Sequence, residues 1–121
     1  MKVSTNILEG RSLDYAVAQC NETVVQVGAS GTVYTFRSDA PVVWTPSTCW
    51  PQGGPIIERE RISIVDSDSG EEWNAMYRFK LVADDEYWSG PTPLIAAMRC
   101  FVATKLGDEL EIPDCLLEGS C

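Results

Sequence analysis

The sequence predicts a single α+β domain in which an antiparallel sheet of about four to six strands packs with two helices. Three observations predict it. Two stretches carry helical spacing with end signals, and several short β-branched runs are separated by turn residues. Over residues 72–82, Trp73, Ala75, Tyr77, Phe79 and Leu81 alternate with Asn74, Arg78 and Lys80, which is the pattern of a sheet with one buried and one wet face. A chain of 121 residues fits one domain spanning 1–121. At this size roughly two-thirds of the unfolded surface is buried, so the core needs no metal or disulfide.

The elements follow in order. Residues 2–4 open as a short strand and 5–10 turn the chain. Ser12 reads as an N-cap, and Leu13, Ala16, Val17 and Cys20 share one helix face, with Asp14 in the first turn and Asn21 as the stop. Residues 23–27 and 32–36 form a hairpin about Gly28-Ala29-Ser30-Gly31, and 38–44 add a short strand. Three Pro and two Gly between 45 and 55 argue against any regular element there. Residues 56–61 make one helical turn, 62–66 a strand, and 67–70 a polar turn before the strand over 72–82. Residues 84–88 are an acidic loop.

The clearest helix begins at the N-cap Thr92 with Pro93 in its first position and stops at Gly107. Leu94, Ile95, Met98, Phe101 and Val102 form its large apolar face. Ala96, Ala97, Cys100 and Ala103 keep the other side small enough for a tight neighbour, from the same chain or from a second copy in a homo-oligomer. Residues 108–121 read as an acidic C-terminal tail with little to bury.

Charge and composition exclude several functions. The net charge is −9, from 18 acidic and 9 basic side chains. Binding a nucleic-acid backbone or an anionic membrane surface relies on Lys and Arg, so neither partner is expected. No apolar run is long enough to span a bilayer. The five Cys are odd in number, form no Cys-x-x-Cys pair and follow no signal peptide, which points to a reducing cytosol. There is no His, which removes the commonest general base, nucleophile partner and zinc ligand. No enzymatic activity and no cofactor are expected.

Three motifs carry a resemblance. They are Leu13-Asp14-Tyr15-Ala16-Val17-Ala18, then Trp50-Pro51-Gln52-Gly53-Gly54-Pro55-Ile56-Ile57-Glu58-Arg59, then Gly90-Pro91-Thr92-Pro93-Leu94-Ile95-Ala96-Ala97-Met98-Arg99. The last continues through Lys105-Leu106-Gly107-Asp108 to Ile112-Pro113, and Trp73-Asn74-Ala75 lies between. Together they resemble the NinX-type accessory proteins of tailed bacteriophages, in order and over nearly the whole chain. Residues 19–43 depart most from that pattern. The resemblance implies a phage or prophage gene product acting in the cytoplasm of the bacterial host, and it brings no catalytic residues.

The residues themselves suggest where a ligand would sit. Gly53 and Gly54 could expose backbone N–H groups as an anion nest, with Trp50 beside them as a stacking surface; the alternative is a rigid turn plugged by Trp50. Thr92 and Leu94 begin a helix whose dipole suits a phosphate, unless Thr92 only caps its own helix. Arg99, a charge in an apolar helix, needs an anionic ligand or a structural carboxylate such as Asp14 or Glu58. Asp14 and Glu58 could instead anchor a ribose or an amine, or hold Mg²⁺.

These features lead to an expected function and a rival. The expected function is sequestration of a small anionic, nucleotide-type ligand, countering host antiviral signalling. The rival is an acidic protein–protein inhibitor or DNA mimic acting on a host protein. A Mg²⁺-dependent hydrolase using Asp14 and Glu58 comes third. All ligand schemes require the 45–55 segment to fold over the start of the last helix and leave a lined hollow.

Overall fold

The computed structural model describes residues 2–67, 70–77, 87–107, 109–113 and 116. Among them the order is β1 (Lys2–Ser4), a 3-10 turn (Thr5–Ile7), α1 (Gly10–Cys20), β2 (Gln26–Val27), β3 (Val33–Arg37) and β4 (Ala40–Val43). There follow α2 (Trp50–Glu60), β5 (Ile62–Asp66), β6 (Trp73–Tyr77), β7 (Trp88–Gly90), α3 (Pro93–Leu106) and β8 (Glu109–Glu111). The class is α+β, as expected, but the strands do not join in one sheet. They make three small antiparallel sheets, β1-β8, β2-β3-β4 and β5-β6-β7.

The sheets stay separate because α3 occupies the centre of the molecule. Every residue from Leu94 to Ala103 is buried, and a helix apolar on all sides needs neighbours on all sides. The β5-β6-β7 sheet, α1 and α2 each pack against it. The small side of the helix admits β7. A Cβ added at Gly90 would lie 2.8 Å from the Ala96 backbone nitrogen, so only glycine lets this strand come so near. Thr92 caps the helix as its sequence promised, Oγ1 accepting from the Ile95 N–H at 3.1 Å.

Several expectations need correction. The first helix starts earlier than Ser12, at Gly10, and the Ser12 hydroxyl donates to the Glu9 carbonyl at 2.9 Å. A three-residue strand, β7, begins at Trp88, where an acidic loop was expected, and pairs with β6; loop residues 84–86 lie outside the described residues. The strand over 72–82 is seen as β6, and its residues 78–82 are likewise outside them. The acidic tail is not idle: Lys2↔Glu111, Val3↔Leu110 and Ser4↔Glu109 pair, and Leu110, Ile112 and Leu116 are buried. The Glu-Leu-Glu-Ile alternation from 109 to 112 explains it, because a period of two presents one apolar edge to the core.

The largest correction lies between 45 and 60. Gly53, Gly54 and Pro55 sit inside α2, not in a loop. Pro51 is in the first turn, where its missing N–H has no helical partner to lose. Pro55 removes one further hydrogen bond. The Gly53 N–H donates to the Cys49 carbonyl at 2.9 Å, so it is a helix donor and no part of an anion nest.

Candidate functional site

Asp14 organises this side of the molecule from beneath. It is 2% exposed, and its Oδ1 accepts the Ser47 N–H at 2.8 Å while its backbone oxygen accepts the Trp44 indole N–H at 2.8 Å. Gln52 completes the clamp: its side-chain oxygen accepts from the Thr45 N–H at 2.6 Å and its amide donates to the Val43 carbonyl at 2.9 Å. The Pro-rich segment is thus locked to α1 at one end and to its own helix at the other. Asp14 is therefore a buried anchor, not a carboxylate offered to a ribose, an amine or a metal.

Burial pushes the Asp14 carboxyl up to about 6, against the opposing pull of Ser47. Its folded value therefore exceeds the unfolded one. The associated stability is whole below about pH 3.8, falls as pH rises toward 6, and is gone above it. The span of about two pH units corresponds to ~3 kcal/mol. Asp14→Asn keeps an acceptor for Ser47, so its chemical-denaturation midpoint should exceed wild type at pH 7.5 and the gap should close by pH 4. A gap that does not change with pH would refute the buried, costly carboxylate.

On one side of α2 the start of that helix meets the start of α3. Trp50, Thr92 and Leu94 line a hollow of about 190 Å³ with Ser47, Thr48 and Pro93. The expected juxtaposition of the mid-chain segment with the last long helix is present. The hollow lacks the expected cation, because Arg99 is engaged elsewhere. Arg99 Nε donates to the Leu8 carbonyl at 2.7 Å and Nη1 to the Ser89 carbonyl at 2.8 Å. Neither Asp14 nor Glu58 is its partner. Glu9, 63% exposed and 3.9 Å away, is a weak one. Burial draws the Arg99 guanidinium below its usual range, with Glu9 and Glu72 opposing. Arg99 staples three chain segments and does not serve as a ligand cation.

The remaining expected residues also have structural roles or lie apart. A Cβ at Gly53 would fall 2.4 Å from the Pro46 carbonyl oxygen and 2.7 Å from Leu94 Cδ2, so this glycine exists for close packing. At Gly54 nothing lies within 4 Å. Glu58 belongs to an open surface with Pro55, Arg59 and Arg61, away from Asp14. Among the described residues no group of three or more His, Cys, Asp or Glu could hold a metal ion.

On the other side of α2 lies a groove that no local motif announces. It measures about 280 Å³ and runs between the β3-β4 hairpin and α2. Phe36, Arg37, Trp44, Gln52, Arg59 and Asn21 line it. Trp44 is buried with its N–H spent on Asp14, so only its ring face serves the groove, whereas Phe36 is 47% exposed. The Arg37 backbone pairs with Ala40, but its side chain makes no hydrogen bond or ion pair among the described residues. Arg59 places Nε 3.0 Å from Glu60, whose carboxylate also meets Lys105 at 3.5 Å and the Tyr77 hydroxyl at 3.2 Å. Burial would raise the Glu60 carboxyl, but Arg59, Lys105 and Tyr77 hold it below its usual range. Glu60 is thus shared among three donors and neutralises Arg59 only in part. The groove combines exposed aromatic surface with two arginine residues, in a chain whose net charge is −9, and the Arg59 guanidinium also lies over the Phe101 ring, 5.9 Å from its centre.

Two further facts limit the chemistry. Burial pushes the Cys20 thiol up to about 11, leaving it almost wholly un-ionised and a poor nucleophile at neutral pH. Among the described residues no helix is long and apolar enough to cross a membrane. No curated protein matches the chain. A family model described as Bacteriophage P22, NinX matches residues 4–105. That span takes in α1, α2 and most of α3, with both sides of α2, and the chain belongs to the bacteriophage P22 NinX family.

Proposed function

We propose that this protein is a non-enzymatic binder that sequesters a small anionic, nucleotide-type ligand in the infected cell, with the groove between β3-β4 and α2 as its site. The observation that carries the reading is the pairing of Arg37 and Arg59 with the half-exposed Phe36 in one concavity. A base stacks on an aromatic ring, and a guanidinium binds a phosphate through two parallel N–H donors. The volume, about 280 Å³, lies at the lower edge of sites for drug-sized ligands. A base is therefore held inside while its phosphates stay on the arginine rim. The absence of His supports binding without turnover. Membership of a phage family supports a role in the cytoplasm of the infected host, where a nucleotide signal of host defence would be a sensible quarry, by analogy with how such a site would be useful.

A thermal-shift screen of nucleoside monophosphates and cyclic dinucleotides tests this. One member should raise the melting temperature of wild type by several degrees. Arg37→Ala and Phe36→Ala should each weaken its binding by about 10-fold or more. If no member stabilises the protein, or if both variants bind as wild type does, the groove is not the site. The −9 charge favours a second reading, an acidic inhibitor of a basic host protein. Such a protein would ignore the library and lose a captured partner steeply between 50 and 500 mM salt.

A further inference from the structure

The arginine groove does not end at its own rim. Pro55 and Arg59, which line it, also line an open depression of about 620 Å³ on the flank of α2, together with Glu58 and Arg61. The two concavities share that wall. A basic track therefore runs from Arg37 at the end of β3, past Arg59, to Arg61 just beyond α2. Three of the chain's nine basic side chains stand along it, in a protein that carries 18 acidic ones.

The fold makes no use of the Arg61 side chain. Its backbone N–H donates to the Ile57 carbonyl and closes the helix, which any residue with an N–H would do. It does so at φ 57° and ψ 46°, the left-handed region that glycine enters freely and a residue with a Cβ resists. A cation suits the negative end of a helix dipole, but Arg59 already supplies one in the last turn of α2. Arg61 is exposed, and among the described residues its side chain makes no hydrogen bond or ion pair. Glu58, exposed in the same depression, pairs with neither Arg59 nor Arg61. A guanidinium is thus held on a strained backbone at the far end of the track, without a partner among the described residues.

That placement suits an anion beyond the first phosphate. We infer, on the reading of the groove as a nucleotide site, that its ligand carries a second phosphate group and that Arg61 binds it. The base and first phosphate stay in the groove with Phe36 and Arg37, and the second phosphate rests in the depression on the parallel N–H donors of Arg61. Glu58 repels it and so sets it toward the Arg61 side. Exposure to solvent keeps the added affinity moderate.

Isothermal titration calorimetry tests this with adenosine and guanosine 5′-monophosphates, the matching 5′-diphosphates and the 5′-phosphorylated dinucleotides pApA and pGpG. At least one two-phosphate probe should bind about 10-fold more tightly than its monophosphate. A gain with the diphosphate sets the two groups side by side, and a gain with the dinucleotide alone sets a nucleoside between them. In Arg61→Gly, which suits the left-handed backbone, the ratio of the two affinities should fall to about one, and Arg61→Lys should restore part of it. Glu58→Gln should raise the ratio. Arg11→Ala, which removes a positive charge outside both concavities, should leave it unchanged. Monophosphate binding without any gain from a second phosphate overturns this inference and leaves the groove standing. So does a gain that survives in Arg61→Gly, or one lost equally in Arg11→Ala. If no probe binds, the groove itself fails and this inference with it.

Discussion

Arg99→Met lowers the stability of the fold by about 3 kcal/mol, the larger of the two effects expected from substitutions in α3 and α2. The methionine fills much the same space but donates nothing, so the Leu8 and Ser89 carbonyls lose charge-assisted hydrogen bonds of 2.7 and 2.8 Å. Arg99 is only 7% exposed, so water replaces those bonds poorly. Relief from burying the guanidinium offsets part of the loss, which keeps the figure below the sum of two such bonds. Urea unfolding followed by tryptophan fluorescence measures it. The ligand affinity of the folded variant should be unchanged, since Arg99 lines neither concavity. A stable Arg99→Met protein that no longer binds would show instead that Arg99 is the ligand cation.

The second large effect separates two adjacent glycines. Gly53→Ala costs about 2 kcal/mol net, because its new methyl would stand 2.4 Å from the Pro46 carbonyl oxygen, a backbone atom that cannot swing aside. Gly54→Ala faces open space. Within a helix it should stabilise by about 0.5–1 kcal/mol, through the smaller conformational freedom lost on folding. Melting temperatures of the two variants should move in opposite directions. Movement in the same direction would mean that α2 does not pack on Pro46 and Leu94 as described.

These two glycines also show why α2 was hidden in the sequence. Gly and Pro are judged by their local cost, and Trp-Pro-Gln-Gly-Gly-Pro reads as a loop on that basis alone. The cost is overridden by tertiary contacts: Gly53 is required where α2 meets Pro46 and Leu94, and Pro51 falls in the first turn, where its defect is harmless. In α3 the local and tertiary signals agree, since Thr92, Pro93 and Gly107 are all end signals, and its limits were legible to the residue. β5 was legible for the same reason.

The candidate sites were legible unevenly. Trp50, Thr92 and Leu94 do meet in a hollow, because the motifs that contain them lie at the starts of two helices that pack together. Arg37 and Arg59 belong to separate elements, a hairpin strand and a helix, and only the packing of one on the other makes them neighbours. Arg99 was singled out correctly as a buried charge, but its partners are backbone carbonyls, which no side-chain pattern announces.

Native mass spectrometry of the protein purified from infected bacteria tests the sequestering role most directly, alongside an Arg37→Ala/Arg59→Ala variant purified in the same way. Wild type should carry an adduct with the mass of a nucleotide-type anion, and the variant, folded by its circular dichroism, should carry little or none. A wild-type protein without any adduct, or an adduct retained equally by the variant, would contradict binding in the arginine groove.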